Sequence, residues 1–185
     1  LYTSPHLLSY TERYVVDDKE INEEDLIELL TDVEKTLGDD NATLFEILTC
    51  AFLKHAENFR DNINIIEAGL FHQFDSTNVF KENLMTLIGV IHNDHFQWLE
   101  NKSIEGVIYE KTAKLLNSNI FINKQVNNEI RDKIEKSLEK NTSNKYFFGK
   151  DFNIAKSENG FIQYQDQLGE LVLPEPSILG DHQLY

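Results

Sequence analysis

The sequence is short of several residue types, and each shortage excludes something. One cysteine in 185 residues rules out a disulfide framework. That cysteine, Cys50, lies in the apolar run Leu48 to Leu53 and reads as part of a buried helix in a reducing compartment. Basic residues are scarce: 17 Lys and Arg stand against 32 Asp and Glu, a formal net charge of −15. A polyanion is held by a Lys/Arg-rich face that releases counterions, so nucleic acid is not an expected partner and a soluble acidic surface is. No apolar run is long enough to span a bilayer, and the first residues lack the regions of a signal peptide. The expectation is a cytoplasmic protein with no membrane partner.

With 41% hydrophobic and 26% charged residues and three prolines, the chain has the composition of a folded domain. One domain over residues 1–173 is expected, with Pro174 and Pro176 opening an interdomain linker over 174–185. After an irregular start, Arg13 to Val16 reads as a short β-excursion turning at Asp17 and Asp18. Asn22 caps a helix carrying Leu26, Ile27, Leu29, Leu30, Val33 and Leu37 at helical spacing. Gly38 ends it, and a second helix spans Ala42 to Asn58, with Leu44, Phe45, Leu48, Ala51, Phe52 and His55 toward a core.

Ile63 to Ala68 is apolar and β-branched, as in a strand covered on both faces of a parallel sheet, and Thr86 to His92 repeats the pattern. Helix Ser103 to Asn117, strand Asn119 to Asn123 and helix Val126 to Lys140 complete a β-α-β-α alternation. Glu129 to Lys145 reads as solvated helix and loop. Short strands then follow at Tyr146 to Phe148, Phe152 to Lys156, Phe161 to Gln165 and Glu170 to Leu173. The Asn159-Gly160 turn signal makes them an antiparallel meander appended to the α/β core.

In an open parallel sheet, ligands gather beyond the carboxyl ends of the strands. Glu67, Asp75, His92, Asp94 and His95 fall there. A carboxylate and an imidazole at adjacent strand ends suit magnesium bridging to a nucleotide phosphate. The same residues also read as an ion-paired carboxylate and ordinary loop histidines, and the pattern alone does not choose.

Longer motifs bear on that choice. Thr3-Ser4-Pro5-His6-Leu7 with Glu12-Arg13 matches T-S-P-H-L…E-R; Ile66 to Leu70 with Asp75-Ser76-Thr77-Asn78 is similar to E-x-G-L-G-G-R-x-D-A-T-N; Asp94-His95 with Glu110-Lys111 is similar to D-H…E-K. Phe45-Glu46 with Thr49 resembles F-E-x-x-T, and Gly180-Asp181-His182-Gln183 resembles G-E-H-Q. In this order the motifs resemble the folylpolyglutamate synthase/dihydrofolate synthase family of the Mur-ligase superfamily.

The resemblance implies an α/β fold, the Mur-ligase central domain, with a mostly parallel sheet flanked by helices and a small antiparallel meander near the C-terminus. It implies an ATP-dependent amide ligase that activates a pteroate or folate carboxylate as an acyl phosphate, which the amino group of glutamate attacks. ATP and Mg2+ are the implied co-substrate and cofactor, and a monomer is the implied state. By the match, Ser4, Glu67 and His95 are metal ligands, Lys111 is a lysine carried as a carbamate, His6, Glu12 and Arg13 lie against the pterin substrate, and Asn78 meets the nucleotide. Lys111 also reads as an exposed neighbour of Glu110, and Arg13 as a surface ion-pair partner.

The chain departs from the family pattern in places. No G-x-x-x-x-G-K-[ST] occurs, whereas the family carries G-T-N-G-K-G-S upstream of T-S-P-H-L. The expectation is thus a central domain without the phosphate loop and the C-terminal domain, inactive alone. Phe71, His72 and Gln73 replace Gly-Gly-Arg, which implies a rebuilt loop. The alternative is a degenerate remnant that keeps the fold as a binding module.

Overall fold

In the computed structural model, Asn22 opens the first long helix, α1 (Glu23–Leu37), by accepting a hydrogen bond from the Asp25 amide at 2.8 Å. Gly38, at φ 60°, ends it in a conformation that favours glycine. Thr43 and Glu46 then form a reciprocal capping box for α2 (Leu44–Ala56). Residues 1–157, 160–178, 180 and 183 are described. Asn159 of the expected turn, and Asp181 and His182 of the last motif, lie outside them.

The described contacts divide the chain into two units, Leu1–Val79 and Phe80–Tyr185. In the first, Leu26 of α1 and Leu48, Ala51 and Phe52 of α2 bury a core with Tyr2, Tyr14 and Ile21. The helical period that turns Leu48, Ala51 and Phe52 inward turns Cys50 outward. Cys50 is exposed, which corrects the expectation of a core thiol. A two-residue hairpin, β1 (Val15–Val16) and β2 (Lys19–Glu20), turns through Asp17 and Asp18 at φ 49° and 62°, where Asp is among the few residues that tolerate the left-handed region.

The expected strand Ile63 to Ala68 is reduced to one parallel bridge between Tyr2 and Ile66. Tyr2 donates its amide to the Ile65 carbonyl at 2.8 Å and accepts from the Glu67 amide at 2.9 Å. Only Ile66 packs on the core, while Ile63 and Ile65 are 73% and 60% exposed. The run is thus covered on one side only, at Ile66, so its apolar composition misleads about burial.

The second unit holds a parallel sheet of β3 (Met85–Ile88), β4 (Asn119–Ile122) and β5 (Asn144–Phe147), in that order. Helix α3 (Ile104–Thr112), capped by Ser103, connects β3 to β4, and α4 (Asn128–Ser137), capped by Asn127, connects β4 to β5. The helices meet through Lys133 on Glu105 at 2.8 Å and the Thr112 and Ser137 hydroxyls at 2.6 Å. Ile120, Ile122, Val107 and Ile134 are fully buried. Ile134 and Leu138 show that the charged stretch from Glu129 has an inward face as well as a solvated one.

Two expectations change here. The strand expected to run to His92 stops at Ile88, because the Gln125 side chain takes over the backbone groups beyond it, accepting from the Ile91 amide at 3.0 Å and donating to the Gly89 carbonyl at 3.0 Å. Met85 and Leu87 are 52% and 68% exposed, so β3 is covered on one face only. The strand around Tyr146 joins the parallel sheet rather than the meander, since α4 is a crossover long enough to return the chain parallel to β4. The antiparallel meander is β6 (Phe152–Lys156), β7 (Phe161–Asp166) and β8 (Gly169–Pro174).

Candidate functional site

The parallel bridge between Tyr2 and Ile66 places the Thr3–Leu7 motif beside the motif that contains Glu67. Two residues past Tyr2, the Ser4 amide donates to Glu67 Oε2 at 2.7 Å. Ser4 and Glu67, both expected metal ligands, are thus neighbours within the first unit. The Tyr2 ring is fully buried, stacked on Phe52 at 4.8 Å, and burial pushes its phenol up from the ordinary value.

Thr49 ties these segments together. Its hydroxyl donates to the Phe45 carbonyl at 2.8 Å, which uses its one proton. The Tyr2 hydroxyl at 3.2 Å and the Ser76 hydroxyl at 3.1 Å must then both donate to it. Thr49 is 2% exposed, so water competes little for its hydroxyl, while Ser76 is half-buried.

Asp75, next in line, holds the loop after Glu67. One carboxylate oxygen accepts from the Gly69 and Leu70 amides at 2.9 and 3.4 Å, and the other from the Thr77 amide and hydroxyl at 3.0 and 2.6 Å. Gly69 is required by close approach: a Cβ there would stand 2.8 Å from both Asp75 Oδ2 and the Phe45 ring. Asn78 sits in the same loop, its side-chain amide 3.4 Å from the Gln73 carbonyl.

His6, Glu12 and Arg13 form a second group in the first unit. Ser9 and Glu12 make a capping box for the 3-10 turn Tyr10–Arg13. Glu12 accepts from the amides of Leu7 at 2.7 Å, Leu8 at 2.7 Å and Ser9 at 2.6 Å, and these bonds, Leu7's first, hold its carboxyl below the usual glutamate range. Arg13 is buried, not a surface ion-pair partner, and its Nε donates to His6 Nδ1 at 3.0 Å.

His95 and Lys111 belong to the second unit. His95 takes a left-handed conformation, φ 60°, beyond the end of β3, with its Nε2 3.4 Å from Asp94 Oδ2. Lys111 lies in the last turn of α3. Among the described residues, no group of three or more His, Cys, Asp and Glu side chains gathers as a metal cluster.

No family model matches the chain. Among curated proteins, it is 37% identical over 119 residues to the dihydrofolate synthase/folylpolyglutamate synthase of Bacillus subtilis, covering 60% of this chain and 27% of that protein. It is 32% identical over 99 residues to the corresponding Escherichia coli protein, covering 54% and 23%. The folylpolyglutamate synthase of Lacticaseibacillus casei aligns over 194 residues at 24% identity, covering 99% and 45%. The chain is homologous to part of these folate ligases. It spans less than half the length of each of them.

Solved folylpolyglutamate synthases share the fold. E. coli FolC in complex with DHPP and ADP superposes with a TM-score of 0.82 at 24% identity, covering 99% of this chain and 43% of that one. The bifunctional folylpolyglutamate synthase/dihydrofolate synthase of Yersinia pestis, complexed with AMPPNP and Mn ion, gives the same score and coverage. The residues Phe71-His72-Gln73, where the family resemblance calls for Gly-Gly-Arg, fall between Gly69 and the Asp75 clasp. Reading the sequence missed Tyr2 as the link between motifs, since one buried tyrosine near a chain start carries no pattern. It also missed the Ser9-x-x-Glu12 capping box, a signal that was there to be read.

Proposed function

We propose that this chain forms part of the central catalytic domain of an ATP-dependent ligase that joins glutamate to dihydropteroate or folate through an acyl phosphate. The observation that carries the reading is the Ser4 amide on Glu67 Oε2 at 2.7 Å, which puts the hydroxyl-bearing residue of one family motif against the carboxylate of another. A carboxylate with a serine beside it is an oxygen donor set, and oxygen donors suit Mg2+. Ser4 and Glu67 are the residues of the first unit that would hold the ion, and the family resemblance makes His95 of the second unit a metal ligand as well. When bound, Mg2+ neutralises the repulsion between a polyphosphate and the carboxylate it must meet.

The chain's own residues do the rest by positioning. Asp75 and Thr49 keep the Glu67 segment and its following loop in one arrangement, so the carboxylate is pre-oriented. His6, Glu12 and Arg13 present a fixed loop to the pterin end of the substrate, and Asn78 meets the nucleotide. The family resemblance makes Lys111 of the second unit a lysine carried as a carbamate, which turns a cation into a carboxylate. The protein acts as a monomer in the cytoplasm. Joining this chain to the flanking segments of the B. subtilis relative should give ADP release that depends on glutamate and on dihydropteroate or folate; a folded hybrid that releases none rejects the reading.

One observation favours a second reading, a non-catalytic module that keeps the fold. Phe71, His72 and Gln73 put bulk where the family's Gly-Gly-Arg leaves room for close backbone approach. Calorimetric titration of the chain with ATP and Mg2+ tests the second reading: micromolar binding counts against a remnant.

A further inference from the structure

The contact between Arg13 and His6 fixes more than a position. A guanidinium is always a donor and has no acceptor, so the nitrogen facing Arg13 Nε at 3.0 Å must offer a lone pair. That nitrogen is His6 Nδ1. A neutral imidazole carries one proton, and with Nδ1 bare the proton is on Nε2.

The surroundings hold this arrangement. The Tyr10 ring lies against His6 with centroids 4.2 Å apart, and Arg13 Cζ stands 5.8 Å from the same ring centroid. Tyr10 and Arg13 sit on one 3-10 turn locked by the Ser9–Glu12 capping box, and Glu12 also ties down the Leu7 and Leu8 amides that follow His6. Arg13 is 9% exposed, so water competes poorly for its donors.

We infer that Arg13 is a positioning residue that sets His6 as a hydrogen-bond donor at Nε2, so the substrate group that meets His6 is an acceptor: a carbonyl, a carboxylate or a ring nitrogen with a lone pair. A group able only to donate, such as an ammonium, finds no partner at that nitrogen. The choice of substrate group rests on His6 being a substrate contact, as proposed above, whereas the tautomer is measurable with no substrate present. Failure of the ligase reading and failure of this inference are therefore separate results.

The test is long-range nitrogen–proton correlation of the histidine rings in the whole chain at a pH where histidine is neutral, about 8. The spectrum of His6→Gln assigns the His6 signals. The expected result is a pyridine-type Nδ1 and a pyrrole-type Nε2 for His6, moving toward the averaged positions of a free imidazole in Arg13→Leu. Averaged signals or a protonated Nδ1 in the unaltered chain overturn the inference, as does an unchanged tautomer in folded Arg13→Leu. If Arg13→Leu does not fold, the spectrum of the unaltered chain decides alone.

Discussion

Thr49 accepts two hydroxyl protons with its lone pairs while its own proton is committed to a carbonyl, so its value lies in accepting. Thr49→Val keeps the shape and removes both acceptor sites, leaving the buried Tyr2 hydroxyl without this partner. The expected loss is about 1–3 kcal/mol in urea unfolding, and Thr49→Ser should recover much of it. Tyr2→Ala removes a fully buried ring from the same core and should cost about 3–5 kcal/mol.

Glu12 supplies a pH test. Its folded pKa lies below the ordinary value, so the folded state binds fewer protons and the bonds it accepts add stability above the ordinary glutamate range. That contribution is lost as the pH falls through the lowered value. Thermal midpoints recorded from neutral pH down into the acid range should therefore fall less steeply in Glu12→Gln than in the unaltered chain. Glu46, whose carboxyl is held low first by the Thr43 amide and then by its hydroxyl, should behave in the same sense.

At the scale of elements, helices were legible and strands less so. Asn22, Ser103 and Asn127 each cap a helix close to where pattern placed it, because caps and apolar period act within a few residues. Helix ends were overrun: α3 stops at Thr112 and not Asn117, where Ala113 is already extended at ψ 141°. Strands depend on partners far along the chain. Ile63 to Ala68 has the composition of a central strand and makes one bridge, and the strand around Tyr146 chose a parallel neighbour that no local signal names.

The start of α3 gives an element-scale prediction. Gly106 packs against the turn before the helix, and a Cβ there would stand 2.2 Å from the Asn101 carbonyl oxygen, a backbone atom that cannot swing aside. Gly106→Ala should destabilise the second unit by more than about 1–3 kcal/mol, the common range for overpacking, despite alanine's better helix propensity. Hydrogen exchange of the α3 amides reads the change, and unaltered protection contradicts the account.

At the scale of the whole molecule, the ordered motifs told more than composition did. Acidity and scarcity of cysteine set the class of protein, while Ser4, Glu67 and Asp75 came from motif order and were found in one bonded neighbourhood of the first unit. Their connection through Tyr2 and Thr49 was not legible, since it joins residues far apart in sequence through side chains in a core. The central claim is that Glu67, steadied by the Ser4 amide, serves the ligase reaction through a divalent ion. The direct measurement is glutamate-dependent ADP release by the hybrid carrying the flanking segments of a relative, with and without Glu67→Gln. The account predicts a loss of at least about 100-fold with the fold retained by circular dichroism; undiminished release in folded Glu67→Gln would contradict it.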